Sequence, residues 1–160
     1  MKSVIQRDVV DDWGRIPETI RQAITDLDKK ALDVRGGRAG MSAREIVHHL
    51  AEANIVVASI MIAAIGTNGA TYDWSWLYPD TAWCERMGYP AAPIEPALDV
   101  IDALCRQISN LVAANPEILS REVRLFDTPG GETYTKTVAD IMQQEIDHAA
   151  EHLSDIDRAG

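Results

Sequence analysis

The stretch SAREIVHHLAEANIVVASIMIAAIG, residues 42–66, predicts a long helix with a defined start and end. Ser42 is a favoured N-cap residue, and Glu45 stands three positions after it, at the spacing of a capping box. Apolar residues then recur every three or four positions up to Ile65, and Gly66 ends the pattern. We therefore predict one uninterrupted helix over about residues 43–65.

Three further helices are predicted from the same periodicity. Each begins at a helix-start signal: a proline at a first-turn position, a Glu-Pro pair or a second capping box. Only a short link separates the first two helices, so we expect them to be antiparallel neighbours. The chain is therefore predicted to be all-α, a single four-helix-bundle domain over residues 1–160. The three additional helices cover about residues 17–36, 95–114 and 137–158.

Two of the connections are distinctive. About thirty residues, several of them tryptophan, separate the second and third helices, and a connection of that length is a functional loop or a crossover between parallel helices. Residues 121–135 alternate around a Pro-Gly-Gly turn and predict a small hairpin.

The charge and the cysteine content limit the classes of binding partner and the cellular compartment to be expected. The chain has 25 acidic and 15 basic residues, and the scattered basic residues form no cationic face for nucleic acid or an anionic membrane. No targeting signal is evident, and the most apolar run, residues 55–66, is too short to span a bilayer. Cys84 and Cys105 form no CxxC motif. We therefore expect a cytoplasmic protein with neither nucleic acid nor membrane as a partner.

The four histidines form two pairs, one on the second predicted helix and one on the fourth. His148 and His152 are four residues apart, so their side chains share a helix face and can bind one ion. His49 lies at the edge of the apolar stripe, whereas His48 has charged helical neighbours and is expected at the surface or as a support of the ligand residues.

The heights of the histidines along the bundle also agree. His49 lies about 10 Å from the start of its helix, and His148 and His152 average about 12 Å from the end of theirs. If these helices are antiparallel, the three imidazoles meet at one level. We therefore predict a divalent metal site, with zinc as the first candidate, on His49, His148 and His152.

Three neutral imidazoles leave an open coordination position, as in catalytic zinc sites. An ion held in this way can lower the pKa of a bound water to about 7 or acidify a bound thiol. Four side chains are candidates for orienting the imidazoles or for accepting a proton, although each could be an ordinary solvated helix residue. They are Glu145, which shares the face of His148 and ranks first, then Glu52, Glu151 and Gln144.

The segment HAAEH, residues 148–152, also matches the H-x-x-E-H signature of the inverted metalloproteases. That class requires a third ligand well downstream and a groove for an extended peptide. Only eight residues follow His152 in this sequence, so we do not expect a protease.

Residues 42–156 resemble the DinB-like superfamily. SAREIVHHLAEAN resembles the second helix of that family, whose first ligand histidine maps onto His49, and MQQEIDHAAEHLSDI resembles the fourth, whose histidine pair maps onto His148 and His152. The loop YDWSWLYPDTAW and the helix after it are similar to the branch that contains bacillithiol-dependent transferases and metal-dependent hydrolases.

The resemblance implies an up-down-down-up bundle, a zinc, nickel or manganese ion on the three histidines, and a homodimer. It also implies a small-molecule thiol, such as bacillithiol or mycothiol, and an electrophilic substrate. Some members end the fourth-helix motif with a double histidine, where this chain has Glu151-His152, so no role is carried over for the extra histidine.

In that topology the second and third helices are parallel, and the crossover returns toward the metal end of the bundle. The candidates for a pocket wall are then Trp74, Trp76, Tyr78 and Trp83, of which Trp83 is favoured as a core anchor. Aromatic residues in a long loop can equally cover apolar surface.

Three functional hypotheses follow. The first is a metal-dependent enzyme, either a thiol-dependent S-transferase or a hydrolase. The second is a non-catalytic, metal-bearing binding or regulatory module of the same fold. The third is a stable dimeric bundle with vestigial histidines.

Overall fold

Four long helices form the body of the protein in a computed structural model that describes residues 2–159, with side chains described for residues 8–156. Two short helices and five short strands lie in the connections between them. The long helices are α1 (Lys2–Ile24), α3 (Ala43–Gly66), α5 (Glu95–Ala114) and α6 (Val138–Ala159), and the short ones are α2 (Lys29–Leu32) and α4 (Thr81–Met87).

The contacts between the long helices give an up-down-down-up order. Helices α1 and α3 each pack against both α5 and α6. The Trp13 indole donates to the Cys105 carbonyl, and Arg21 lies 3.7 Å from Asp99, so α1 and α5 are antiparallel. Arg44 near the start of α3 donates to the carbonyl of Ala92, just before α5, so α3 and α5 are parallel. The predicted fold class and topology are confirmed, but the expectation that the first two long helices are neighbours is wrong, because α1 and α3 lie diagonally across the bundle with α5 and α6 between them.

The predicted start of the first helix at Pro17 is wrong, because α1 begins at Lys2 and runs through Pro17. A proline inside a helix removes one hydrogen bond and costs about 3 kcal/mol. On α1 the side chains of Val9, Trp13 and Ile16 are buried, and Trp13 is fully enclosed. Burying a residue such as Trp13 stabilises by about 3–5 kcal/mol, which offsets the cost of the proline.

The predicted end of this helix is also wrong. Helix α1 ends at Ile24, and a separate short helix, α2, follows. The Asp28 carboxylate accepts from the amide of Ala31 at 2.8 Å and caps α2. An aspartate so placed satisfies a free amide at a new helix start, which favours two helices over one.

Both predicted capping boxes are confirmed. The amide of Ser42 donates to the Glu45 carboxylate at 2.8 Å, and the amide of Glu45 donates to Ser42 Oγ at 3.2 Å. The amide of Thr137 donates to the Asp140 carboxylate at 2.9 Å, and the amide of Asp140 donates to Thr137 Oγ1 at 3.1 Å. These contacts set the starts of α3 and α6, the two helices that carry the histidines.

A small sheet ties the crossover to the bundle. The predicted hairpin is confirmed as the antiparallel strands β4 (Glu122–Phe126) and β5 (Tyr134–Thr137). A strand that was not predicted, β3 (Ala70–Asp73), pairs parallel with β4. The amide of Trp74 extends this pairing by donating to the carbonyl of Phe126 at 3.0 Å. A shorter antiparallel pair, β1 (Arg35–Gly36) and β2 (Met41–Ser42), precedes α3.

Helix α3 is the core helix of the bundle. By length and composition alone it could cross a membrane, but 56% of its most apolar window is buried inside the protein. It packs against α5 and α6, with Ile46, Leu50 and Met61 almost fully enclosed. Its apolar composition is therefore accounted for by burial within the bundle.

Candidate metal centre

The structure brings the three predicted ligand histidines together. His49 projects from α3, and His148 and His152 project from α6, with one ligand atom of each ring within 4.8 Å of the others. The ring centroids are 4.7–5.0 Å apart, and the rings meet edge to face. His49 is buried, and the two α6 histidines are half-buried. The antiparallel pairing of α3 with α6 produces the common height that the sequence predicted.

Glu145 orients the ring of His148. It lies one turn earlier on α6, is only 3% exposed, and has Oε2 3.1 Å from His148 Nδ1. Because an ionised carboxylate can only accept, Nδ1 of His148 donates this bond and Nε2 carries the free lone pair. His148 Nε2 lies 3.0 Å from His49 Nε2. A carboxylate on the far nitrogen is the usual support of a metal-binding histidine.

A chain of buried polar contacts holds Glu145 in turn. Asn54 on α3, which has no exposed surface, donates from Nδ2 to Glu145 Oε1 at 3.2 Å and to the carbonyl of Leu50 at 2.9 Å. The thiol of Cys105 on α5 donates to Asn54 Oδ1 at 3.5 Å. Three helices of the bundle therefore contribute to the orientation of one imidazole.

The electrostatics of the cluster favour neutral rings on two of the three histidines. Burial, followed by the neighbouring histidines, lowers the pKa of His49 to about 3. Burial and His148 also lower the pKa of His152. For His148, burial acts to lower the pKa, but the hydrogen bond and charge of Glu145 outweigh it and raise the pKa.

The donor set fits a divalent cation. His49 Nε2 and His148 Nε2 face each other, and only one ring of such a pair can donate to the other. His49 Nδ1 and His152 Nδ1 are buried without a hydrogen-bond partner. Ligand nitrogens in a tetrahedral zinc site are about 3.3 Å apart, close to the spacing of the two facing nitrogens. A cation between the facing Nε2 atoms would bind both of their lone pairs at once, whereas a proton on one of them leaves only the other as an acceptor.

Glu52 is directed to another part of the structure. Its Oε2 accepts from the Trp83 indole at 2.9 Å and from the hydroxyl of Tyr89. This contact connects α3 to α4 and to the 3-10 turn Tyr89–Ala91. Burial, together with the bond to Glu52, raises the pKa of the Tyr89 hydroxyl. Glu52 therefore anchors the crossover, and Trp83 is half-buried against the core as part of that anchor.

Two of the other candidates near the histidines lie on the surface, whereas His48, which was expected there, is half-buried. Glu151 is exposed and pairs with Arg38 at 3.4 Å. Gln144 is exposed and accepts from the Lys136 ammonium. His48 stacks on Tyr89 with ring centroids 4.9 Å apart, away from the three-histidine cluster.

A cavity of about 190 Å³ adjoins the cluster. The rings of His49 and His148 form part of its wall, and so does Trp74 from the crossover. Trp76 and Tyr78 were predicted together with Trp74 as candidates for the pocket wall. Both are more than half exposed, and neither lines this cavity. They alternate along the crossover with Leu77 and Pro79, which do line the cavity.

Several residues of the site were not identified from the sequence. Asn54 is the clearest, and its signal was a polar residue within the apolar face of α3, one turn after Leu50. Ala53, Leu77 and Pro79 in the cavity wall carry no chemical signature, and only the tertiary structure identifies them.

Comparisons with known proteins agree with this architecture. The family model of the DinB superfamily matches residues 13–156. Among solved structures, YfiT from Bacillus subtilis, described as "a probable metal-dependent hydrolase with an unusual four-helix bundle topology", matches with a TM-score of 0.80 and 17% sequence identity. The match covers 96% of this chain and 85% of YfiT, and at this identity it shows a shared fold. No curated protein sequence matches significantly. Because the family model covers most of its length, the chain belongs to the DinB superfamily.

Proposed function

We propose that this protein is a metal-dependent enzyme whose centre is held by His49, His148 and His152. The observation that carries the proposal is the convergence of the three imidazoles beside an apolar cavity, with Glu145 orienting one ring. A divalent ion bound there would supply Lewis acidity, which makes a water or a thiol nucleophilic near neutral pH. Imidazole ligands suit zinc and nickel better than manganese.

The protein's own residues have separable tasks in this proposal. Glu145 Oε2 accepts a hydrogen bond from His148 Nδ1, which keeps the proton on Nδ1 and leaves Nε2 available as a ligand atom. Asn54 keeps the Glu145 carboxylate in place. The wall formed by Trp74 and its neighbours excludes water from one side of the reacting group.

Two reactions are compatible with this chemistry. Hydrolysis of a small substrate is supported by the description of YfiT as a probable metal-dependent hydrolase. Transfer of a low-molecular-weight thiol to an electrophile is supported by the sequence resemblance to the thiol-using branch. Both reactions require a nucleophile whose pKa is lowered at the same centre.

The first experiment is elemental analysis of protein purified without a metal-affinity tag. We expect about one divalent ion per chain in the wild type and a large loss in His49→Ala. The loaded protein is then assayed with ester substrates and, separately, with thiol plus electrophile. Activity that requires both the metal and His49 supports the proposal, and a fully loaded protein inactive in both assays contradicts it.

A non-catalytic, metal-bearing module is the second candidate. It is favoured by the engagement of the three candidate carboxylates: Glu145 with His148 and Asn54, Glu52 with Trp83 and Tyr89, and Glu151 with Arg38. X-ray absorption spectroscopy distinguishes the candidates, because a fourth protein ligand on the ion would support the module and a solvent ligand would support the enzyme.

The predicted homodimer and cytoplasmic location stay predictions. Ile55 and Ile62, two turns apart on α3, are each 52% exposed. An apolar face of this kind is compatible with a second copy as its partner. Analytical ultracentrifugation of the wild type and of Ile62→Lys tests the dimer.

A further inference from the structure

The cavity beside the histidine cluster has a wall that selects for apolar groups. It lies between α3, α6 and the crossover, and six of its ten wall residues have apolar or aromatic side chains. These six are Ala53, Val56 and Val57 on α3 and Trp74, Leu77 and Pro79 in the crossover.

The carboxylate of Glu145 and the side-chain oxygen of Gln144 are already engaged by the protein, whereas the Trp74 indole N–H is buried with no partner among the described residues and can donate to an uncharged acceptor such as a hydroxyl. The two oxygens of Glu145 accept from Asn54 and His148, and the side-chain oxygen of Gln144 accepts from Lys136. Among the residues whose side chains the structure describes, no lysine or arginine is part of the wall. Glu145 and His148 are already paired with each other, so a charged ligand group would lose its hydration without gaining a free counter-charge, which makes its entry unfavourable.

The size of the cavity limits what it can hold. An apolar cavity of about 150 Å³ is sufficient to bind benzene. The present cavity of about 190 Å³ is slightly larger, so a phenyl ring or a branched aliphatic group of similar volume fits it. The rings of His49 and His148 border both the cavity and the cluster, so a group seated there lies next to the reacting centre.

We propose that this cavity is the binding site for an uncharged, apolar group about the size of a benzene ring, carried by the substrate next to its reactive bond. Calling the bound molecule a substrate rests on the proposed function. The binding of the apolar group itself does not require turnover. Ala53 sets the upper size limit, because it lies one turn after His49 on α3, is only 7% exposed, and has the smallest side chain in the apolar wall.

The test uses three probes that share one ring and differ in charge: benzyl alcohol, benzoate and benzylammonium. Their binding to metal-free protein is measured by ligand-observed NMR titration. We expect benzyl alcohol to bind at least tenfold more tightly than either charged probe. Equal affinities for the three probes would overturn the proposal.

A matched pair of variants locates the binding site. Ala53→Leu places a larger side chain into the cavity and should weaken benzyl alcohol binding at least tenfold. Ala103→Leu makes the same change at an exposed position of α5 and should leave binding unchanged. Unchanged binding in Ala53→Leu would place the probe elsewhere and contradict the proposal.

A second variant keeps the test decisive if Ala53→Leu fails to fold. Val57→Ala enlarges the cavity and should raise the affinity for 2-naphthalenemethanol relative to benzyl alcohol, and no change in that ratio would count against the proposal. Because these titrations need neither metal nor activity, failure of the proposed function leaves them interpretable. Failure of the probes to bind would leave the metal and activity assays unaffected.

Discussion

Glu145 Oε2 lies 3.1 Å from His148 Nδ1, and this contact determines which nitrogen of the ring can bind a cation. Glu145 is itself held by Asn54 from the facing helix. The geometry of the α6 ligand pair therefore depends on a residue of α3 that acts through Glu145. Such supporting contacts typically change metal affinity by about 10–100-fold when they are removed.

We expect Glu145→Gln to weaken zinc binding by about tenfold or more. In one orientation the new amide directs its NH2 group at the Nδ1 proton of His148. In the other it directs that group at the NH2 of Asn54, whose own orientation is set by Leu50 and Cys105. Either orientation brings two donors together. Competition with a chromophoric chelator measures the affinity.

Glu52→Gln is the matched control for this substitution. It makes the same change on a histidine-bearing helix, but its carboxylate contacts Trp83 and Tyr89. We expect wild-type zinc affinity and a lower melting temperature. A loss of zinc affinity equal to that of Glu145→Gln would show that charge alone, and not the contact with His148, is responsible.

The metal-free protein should lose stability as the pH falls below about 6.5. The pKa of His49 is about 3 in the folded protein and 6.5 when unperturbed, so between these values the unfolded chain binds a proton that the folded chain does not. Stability therefore rises with pH across this window, by up to about 1.4 kcal/mol per pH unit for one such group. His152, whose pKa is also lowered, acts in the same direction, and His148, whose pKa is raised, opposes it.

Urea denaturation of metal-free wild type and His49→Asn at pH 7 and pH 5 checks this expectation. The carboxylate contributions are common to both proteins and cancel in the difference between them. The variant should lose less stability than the wild type between the two pH values. Parallel losses would show that His49 is protonated as readily in the folded protein as in the unfolded chain.

The parts of this protein that follow local rules could be predicted from sequence. The capping boxes at Ser42 and Thr137 depend on contacts within four residues, and the height of His49 follows from the first of them by counting helical rise. The heights of His148 and His152 were counted in the same way from the predicted end of their helix. The start of α1 could not be predicted, because the burial of Trp13 against α5 overrides the local signal of a proline.

The parts of the site that depend on contacts between distant segments of the chain could be identified only from the structure. Strand β3 was missed because its partner β4 lies about fifty residues further along the chain, and four residues of sequence do not specify such a pairing. That pairing places Trp74 at the cavity and leaves Trp76 and Tyr78 exposed. Glu145 was identified because it shares a helix face with His148, whereas Asn54 acts from a different helix.

Gly37→Ala should destabilise the protein by more than an ordinary glycine substitution. Gly37 has a φ of 65°, and a Cβ there would lie 2.6 Å from Cβ and Cγ of Asp155, which is buried on α6. The left-handed backbone costs about 1–2 kcal/mol for alanine, and the overlap adds about 1–3 kcal/mol. Gly69→Ala is the control, because its φ of 81° imposes the backbone cost and no described atom lies within 4 Å of the new Cβ. Equal losses of unfolding free energy in the two variants would mean that Asp155 moves aside freely.

Zinc should stabilise the folded protein through the three-histidine cluster. At a free concentration one hundred times the dissociation constant, a ligand that binds only the folded state adds about 2.7 kcal/mol. For a domain of this size the melting temperature should rise by about 5–11 °C, measured by differential scanning calorimetry. His152→Ala should lose most of this rise, because two imidazoles remain, whereas His48→Ala should keep it, because His48 stacks on Tyr89 outside the cluster. Magnesium, which prefers oxygen ligands, should have little effect. An equal zinc response in wild type and His152→Ala would place the binding site elsewhere and support the hypothesis that the histidines are vestigial.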